Sequence, residues 1–548
     1  MSNNNWTNKL SFAPEASGEL YEYLKDFPEE ITGITFDSRL VKPGNIFVCL
    51  QGSHVNGNDF IDEAIDNGAI AIVSDDPAND TFVDDAEAYE KIKTATVHRN
   101  IPIVYQKNAR RALSHLSYAF YTHTDDRPLE HMYTIGITGT DGKTSTAYIT
   151  YAALRELGVN AALICTVGIF IDGKEIINEN QKTRLTTPDP PELFQLISQA
   201  QQCDSDVIIL EITSHALKFD KVDAVVLDCA IFTSFSPDHQ EFHESEDDYF
   251  SSKASIAGLL RGKDSQAAWQ LVEQAVDRRT GNLILNADDK KIVDLSKRAY
   301  IYSTVGFHQD ATTKITKTEE QLFHTKYQIN HGAGDIDALT KLMGDFNLMN
   351  IGMAYEVILT FMNEVRKFHR LAGHYEEILQ AIATCSNIPG RLEQIDGAPF
   401  NVIVDYAHTP DAFEKVLNTL AKYIKGRLIV VFGCAGERSK DRRYGLGRLA
   451  AEHASMSILT EEDSRSESIH DIVQDIENQM KESGAIEGDN YKIILDRKDA
   501  IEFALQYAVE DDCVLILGKG HEKSIESGGE FILWDDREIT KKLIKELF

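Results

Sequence analysis

Four short β-rich stretches in the middle of the chain each run out abruptly into polar residues. Tyr133-Thr-Ile-Gly-Ile-Thr138 leads into Gly139-Thr-Asp-Gly-Lys-Thr144. Asp206-Val-Ile-Ile-Leu-Glu211 stops at its own carboxylate, Ala230-Ile-Phe-Thr233 at Ser234 to His239, and Leu283-Ile-Leu-Asn286 at Asp288 and Asp289. Apolar strands separated by helical stretches predict a parallel sheet covered on both faces. Polar residues gathered at the carboxyl ends of such strands mark where α/β folds bind ligands. The chain is therefore expected to be α/β, with its chemistry along one edge of a central sheet.

The turn at the end of the first strand holds Gly139, Thr140, Asp141, Gly142, Lys143, Thr144 and Ser145, and a helical run follows to Leu157. Glycines let backbone N–H groups approach an anion, and the helix N-terminus adds partial positive charge. Lys143 suits outer phosphates and Thr144 suits Mg²⁺. The spacing is not GxxxxGK[ST], which requires glycine where Ile137 stands. Read locally, the segment is either a phosphate cradle or a plain strand–helix turn. Glu211 has the position of a metal-binding carboxylate, or of a solvated strand end. His239 and His243 are four apart, but HExxH is absent and no cysteine lies near, which argues against zinc. Lys253 reads locally as a surface lysine, and Asp405 with His408 as a turn-capping pair.

The 548 residues suit about three or four domains, and the net charge of −32 argues against a nucleic-acid partner. An anionic substrate would thus need local basic clusters. Seven scattered cysteines without a CxxC pair suit a reducing compartment. No apolar run approaches ~18 residues and the first residues lack a signal core, so a cytoplasmic protein without membrane contact is expected. Residues 1–130 form a first unit, with a βαβ rhythm from Ile31 to 73 and an acidic surface insertion at 76–98. There Asp37-Ser38-Arg39 reads as a capped turn in preference to an anion site. Residues 131–388 form a central unit. Beyond Pro389-Gly-Arg391, residues 389–548 form a third, with strands at 400–405, 427–432, 456–460 and 513–517.

Taken together, these segments resemble the Mur ligase family of ATP-dependent amide-bond-forming enzymes, in order and over nearly the whole chain. The likeness runs through Asp37-Ser-Arg39, Gly139 to Thr144, Thr186-Thr-Pro-Asp-Pro190 and Glu211-Ile-Thr-Ser-His-Ala-Leu217. It continues through Asp238-His239, Tyr249 to Lys253, Phe346-Asn347, Pro389-Gly-Arg391, Asp405-Tyr-Ala-His-Thr-Pro410 and Gly518-Lys-Gly-His-Glu522. The first and last groups favour the tripeptide-forming branch. The resemblance implies a UDP-substrate-binding N-terminal domain, a central P-loop-type ATPase and a Rossmann-like C-terminal domain. It implies ATP and Mg²⁺, and γ-phosphate transfer to the carboxylate of a UDP-linked muramoyl-peptide in peptidoglycan precursor synthesis. A free amino acid then attacks, in an enzyme expected to be monomeric. By the same analogy Lys143, Glu211, His239 and Lys253 are catalytic. Thr144 and Glu211 serve one metal, and His239 with a carbamylated Lys253 a second. Asn347, Arg391, Asp405 and His408 meet or lie near the nucleotide. Ser38, Arg39, Thr186, Thr187 and Ser214 hold the UDP-linked substrate.

Three departures from the family pattern matter. Asp141 stands where asparagine is usual. Phe219-Asp-Lys221 replaces Gln-x-Arg, so Lys221 keeps a charge for the acceptor's carboxylate but loses the guanidinium fork. Glu462-Asp463-Ser464-Arg465 replaces Asp-Asn-Pro-Arg in the segment that selects the amino acid. Arg465, Gly518 and Glu522 remain, while Asp463 is expected to add a negative charge favouring a basic or diamino acid, diaminopimelate or lysine. An amino-acid ligase of this kind acting on a different acyl acceptor in another pathway is the alternative.

Overall fold

The computed structural model describes residues 24, 30–52, 55–75, 101–122, 132–176, 185–236, 243–262, 280–332, 334–371 and 373–548. The expected insertion at 76–98, together with Asp238 and His239, lies outside them. The chain divides into two compact units, Met1–Lys314 with Gly352–Tyr375, and Ile315–Ile351 with Glu376–Phe548.

The first unit carries two sheets. In the smaller, β1 (Gly33–Thr35), β2 (Asn45–Val48), β3 (Ala69–Asp75) and β4 (Ile103–Gln106) lie side by side in sequence order, all parallel. The helix Ala109–Tyr121 packs on them through Ala112, Leu113 and Leu116. In the larger sheet, β5 is Tyr133–Thr138, β6 Ala161–Cys165, β7 Gly168–Ile171, β8 Lys174–Glu175, β9 Val207–Glu211, β10 Cys229–Phe232, β11 Asn282–Asn286 and β12 Ile301–Gly306. Their order is β12-β11-β10-β5-β9-β6-β7-β8, parallel from β12 to β6, with β7 and β8 added antiparallel.

Every residue of β5, β6, β9 and β10 is buried, which is why these sequences have no exposed face. Each fully buried Ile or Leu there contributes roughly 1.5–3 kcal/mol of transfer free energy. Parallel pairing brings the carboxyl ends of β5, β9, β10 and β11 to one edge, as the sequence predicts.

In the second unit β14 (His324–Asn330) and β15 (Asp335–Thr340) pair antiparallel after β13 (Thr313–Gln321), and the main sheet holds β17 (Asn401–Asp405) beside β21 (Cys513–Leu517). Beside β21 lie β18 (Leu428–Phe432), β19 (Met456–Leu459) and β20 (Tyr491–Ile493), all parallel, and the short β16 (Glu393–Gln394) closes the other edge antiparallel. A ribbon of β22 (Ser524–Ser527) and β23 (Glu530–Leu533) follows. Apolar clusters fill both faces of the main sheet.

Candidate functional site

The first unit's site is the turn after β5. Gly139 has φ 149° and Gly142 φ 84°, left-handed values that favour glycine. A Cβ on Gly139 would stand 2.0 Å from Thr233 Oγ1, so this crossing of two strand ends admits no side chain. The turn is tied to the end of β10: Thr140 N–H donates to Ser234 O at 2.8 Å and Asp141 N–H to Ser234 Oγ at 2.9 Å. Lys143, the first residue of the helix Lys143–Glu156, folds back and donates to the carbonyls of Gly139 (3.0 Å) and Thr140 (2.8 Å). Ser145 is buried in the same first turn.

Glu211 is 2 % exposed, and its carboxylate organises the neighbouring strand ends. Thr144 Oγ1 lies 3.0 Å from both its oxygens, and Thr166 donates to Oε2 through its N–H and its hydroxyl, each at 2.9 Å. Thr166 also meets Thr186 Oγ1 at 3.0 Å, and Thr187 donates to Glu211 O at 2.9 Å. The structure thus brings Thr144, Thr186, Thr187 and Glu211 together. Thr166 was missed, although its signal is the same as that of Glu211: a polar residue at the end of an apolar strand, Ala161–Cys165. Lys253 is buried under the turn, donates to Gly139 O at 2.7 Å and lies 4.4 Å from the Tyr249 ring centre. It is not the surface lysine of the local reading, because the helix Glu246–Ala254 turns it inward.

One charge is not free as expected. Lys221 pairs with Asp189 at 2.6 Å and is largely covered, so its ammonium is offset before any acceptor arrives. Phe219 instead carries the guanidinium of Arg110 4.7 Å from its ring centre. In the smaller sheet Asp37 caps its turn, accepting from Arg39 N–H at 3.0 Å and pairing with the guanidinium at 2.6 Å, as the capped-turn reading predicts. Ser38 donates to Glu63 at 2.6 Å. Among the described residues no three His, Cys, Asp or Glu side chains gather as a metal cluster, and no helix is long and apolar enough to cross a membrane.

In the second unit Asp405 ends β17, Glu462–Arg465 follow β19 and Gly518–Glu522 follow β21, while Asn347 stands on the helix Asp345–Glu364. Asp405 accepts from Leu392 N–H at 2.6 Å and Ala407 N–H at 2.7 Å. Burial raises its pKa, against Arg391 and those two N–H groups. Arg391 lies 4.5 Å from the Tyr406 ring centre. His408 meets Tyr406 O at 2.8 Å, and desolvation pushes its pKa down to about 4, so it is neutral at physiological pH. Asn347 donates to Met343 O at 2.8 Å. Gly390 is pressed on the other loop: a Cβ there would be 2.2 Å from His521 N and 2.4 Å from Gly520 C.

In the amino-acid-selecting segment, buried Lys519 donates to both oxygens of Asp463 at 2.8 Å and pairs with Glu522 at 2.6 Å. Glu526 N–H also donates to Asp463, at 2.9 Å. Asp463 is not a free charge: Lys519, 56 residues away, pairs with it while sharing its single positive charge with Glu522, so the segment keeps a net negative charge. Glu462 is buried beside them, and its Oε2, which has no hydrogen-bond partner, lies 2.5 Å from where a Gly518 Cβ would be. Gly518, at φ 107°, is required there. Arg465 stands at φ 54° with its Nε 3.7 Å from Glu526. Behind both loops Arg497 donates to Glu461 O and Leu517 O at 2.9 Å and forms a buried pair with Asp536 at 2.7 Å.

Burial raises the Glu462 pKa to about 7, with Lys519 and Arg497 opposing and Asp463 and Glu522 assisting. The folded value exceeds the unfolded one, so the folded state binds the extra proton and stability falls as pH rises from about 4.5 to about 7. Glu462→Gln is expected to flatten that decline, raising Tm relative to wild type at pH 8 but not at pH 4.5. Parallel Tm–pH curves for the two proteins would remove Glu462 as the cause.

Three family descriptions tile the chain: Mur ligase family, catalytic domain, over residues 30–121; Mur ligase middle domain over 137–358; and Mur ligase, glutamate ligase domain, over 390–520. The UDP-N-acetylmuramoyl-L-alanyl-D-glutamate–2,6-diaminopimelate ligase of Bacillus velezensis is 33 % identical over 522 residues, covering 94 % of this chain and 95 % of its own. The UDP-N-acetylmuramyl-tripeptide synthetase of Roseiflexus sp. is 32 % identical over 543 residues, covering 96 % and 99 %. Among solved structures, a UDP-N-acetylmuramoyl-L-alanyl-D-glutamate–2,6-diaminopimelate ligase superposes with TM-score 0.60 at 22 % identity, over 94 % of this chain and 95 % of that one. MurF ligase from Thermotoga maritima in complex with ADP superposes with TM-score 0.53 at 16 % identity, over 94 % and 96 %. Both share the fold.

Proposed function

The chain belongs to the Mur ligase family, and from that premise we propose that it is an ADP-forming ligase that adds a basic or diamino acid to UDP-N-acetylmuramoyl-L-alanyl-D-glutamate in peptidoglycan precursor synthesis. The observation that carries this reading is the contact of Thr144 with Glu211 at the mouth of the glycine turn. Residues 1–130 hold the UDP moiety, 131–388 hold ATP, and 389–548 hold the amino acid. The reaction is placed in the cytoplasm, in keeping with seven free cysteines.

A hydroxyl and a carboxylate 3.0 Å apart are hard oxygen donors suited to Mg²⁺ with phosphate oxygens. Bound there, Mg²⁺ would supply charge neutralisation on the phosphates. The chain's own part is to orient. The N-terminus of the helix Lys143–Glu156 and the Lys143 ammonium face the transferred phosphoryl group, whose charge they stabilise, while the Thr140 and Asp141 amides hold the turn to Ser234. Thr186, Thr187 and Ser214 hold the acceptor. Arg391 and Asn347 meet the nucleotide, with Asp405 and His408 shaping the loop that presents it. Arg465 takes the amino acid's carboxylate, with Gly518, Lys519 and Glu522 around its far end and Asp463 holding Lys519 in place.

Incubation with ATP, UDP-N-acetylmuramoyl-L-alanyl-D-glutamate and each of diaminopimelate and lysine should release ADP and form a tripeptide. ATP turnover with another acyl acceptor, but none with this one, would favour a ligase of a different pathway. Lys253, buried beneath the Gly139 carbonyl, is proposed to be carbamylated, which would turn a buried cation into a carboxylate-like group. Intact mass under bicarbonate should show one added carboxyl group, lost in Lys253→Ala. An unmodified mass in active enzyme would exclude it.

A further inference from the structure

Ser214, His243 and Asp248 form a hydrogen-bonded chain that phosphoryl transfer leaves without a task. Ser214 Oγ lies 3.2 Å from His243 Nε2, and His243 Nδ1 lies 3.2 Å from Asp248 Oδ2. Asp248 also accepts from Lys218 at 2.6 Å and from Glu244 N–H at 3.2 Å. Both Ser214 and His243 are buried. Thr213, immediately before Ser214, donates its N–H to Thr187 Oγ1 at 3.1 Å, which sets the chain beside the strand end bearing Glu211.

The direction of these bonds follows from donor chemistry. A carboxylate only accepts, so His243 Nδ1 carries the hydrogen. Nε2 is then the acceptor and the Ser214 hydroxyl donates to it. The lone pairs of Ser214 are left for an N–H group of a substrate. The groups that face His243 are Asp248 and Lys253 from the helix Glu246–Ala254, with the Tyr249 ring 4.9 Å away, and Lys218 and His215 from the helix Ser214–Lys218. Burial, joined by Lys218, lowers the His243 pKa against the pull of Asp248, so the imidazole is neutral at pH 7.

We infer that Ser214 accepts the proton the attacking amine must lose and passes its own hydroxyl proton to His243, with Asp248 fixing the tautomer. This rests on the ligase reading above. When the amine adds to the acyl-phosphate carbon, the new C–N bond leaves positive nitrogen. Its proton moves to Ser214 Oγ while the serine proton moves to His243 Nε2. The adduct's carbon–oxygen bond to phosphate then breaks, and phosphate leaves with the electron pair. The imidazolium, held by Asp248, returns its proton through Ser214 to solvent. Ser214 is the group that touches substrate; His243 and Asp248 act through it.

The test compares two nucleophiles on the full chain, each supplied with ATP and the UDP-linked dipeptide. Hydroxylamine is unprotonated at neutral pH and makes little demand on a relay. Wild type should form a hydroxamate, and its absence would sink the acyl-phosphate reading itself. In His243→Gln and His243→Ala, kcat with the amino acid is expected to fall about 10²-fold while hydroxamate formation stays within about threefold. Glutamine preserves a hydrogen bond but takes no proton. If His243→Gln restores the amino-acid rate, or if both nucleophiles lose rate equally, the relay is overturned.

Discussion

Arg497→Met is expected to destabilise the protein by about 3–5 kcal/mol, the usual penalty for stranding one member of a buried ion pair. Arg497 and Asp536 are 1 % and 0 % exposed in their side chains. Asp536 would keep Trp534 Nε1 at 2.7 Å but lose two guanidinium contacts, at 2.8 and 2.7 Å. The carbonyls of Glu461 and Leu517 would lose their donors as well. Denaturant unfolding with a double-mutant cycle checks this. Arg497→Met with Asp536→Leu should recover most of the loss, because the uncompensated charge is gone. A single variant within about 1 kcal/mol of wild type would show the pair to be dispensable.

Glu211→Gln is expected to lower kcat about 10²–10³-fold, the scale of removing one preorganised electrostatic group from a transition state, while leaving the fold intact. Glutamine matches the shape and keeps one oxygen for Thr144 or Thr166, so Tm should hold. What it removes is the charge. Phosphate release measured across a Mg²⁺ titration separates the causes: a lost metal ligand shifts the Mg²⁺ dependence as well as the maximum. A loss below about tenfold, with unchanged Mg²⁺ dependence, would take Glu211 out of the metal site.

The sequence made the sheet edge legible because strand burial is written locally. Runs such as Val207–Glu211 declare that both faces are covered and that the next polar residue stands at an edge. Glu211 and Thr144, 67 residues apart, meet because Glu211 ends β9 and Thr144 opens the helix that follows the neighbouring strand β5. The charges were not legible in the same way. Lys221 and Asp463 carry ionic groups whose significance depends on partners set by tertiary packing, Asp189 and Lys519. Nothing in Glu462-Asp463-Ser464-Arg465 says which acid pairs with Lys519 and which keeps a buried oxygen without a hydrogen bond. Lys253 illustrates the same limit, since the short helix that buries it has no strong apolar stripe to betray the inward face.

The contact of Gly390 with Gly520 and His521 has a consequence for how the second unit works as a machine. Arg391 follows one glycine, and Lys519 and Glu522 flank the other. Two backbones cross with no side-chain volume between them to absorb a shift. A displacement of the Arg391 segment must therefore be transmitted to the Lys519–Glu522 segment. With the nucleotide and the amino acid placed as proposed above, occupancy of either site is expected to be felt at the other, and by reciprocity each ligand would tighten or loosen its neighbour by the same factor. A methyl group at position 390 would wedge the crossing open and uncouple the two, so Gly390→Ala should erase the dependence of amino-acid affinity on bound nucleotide.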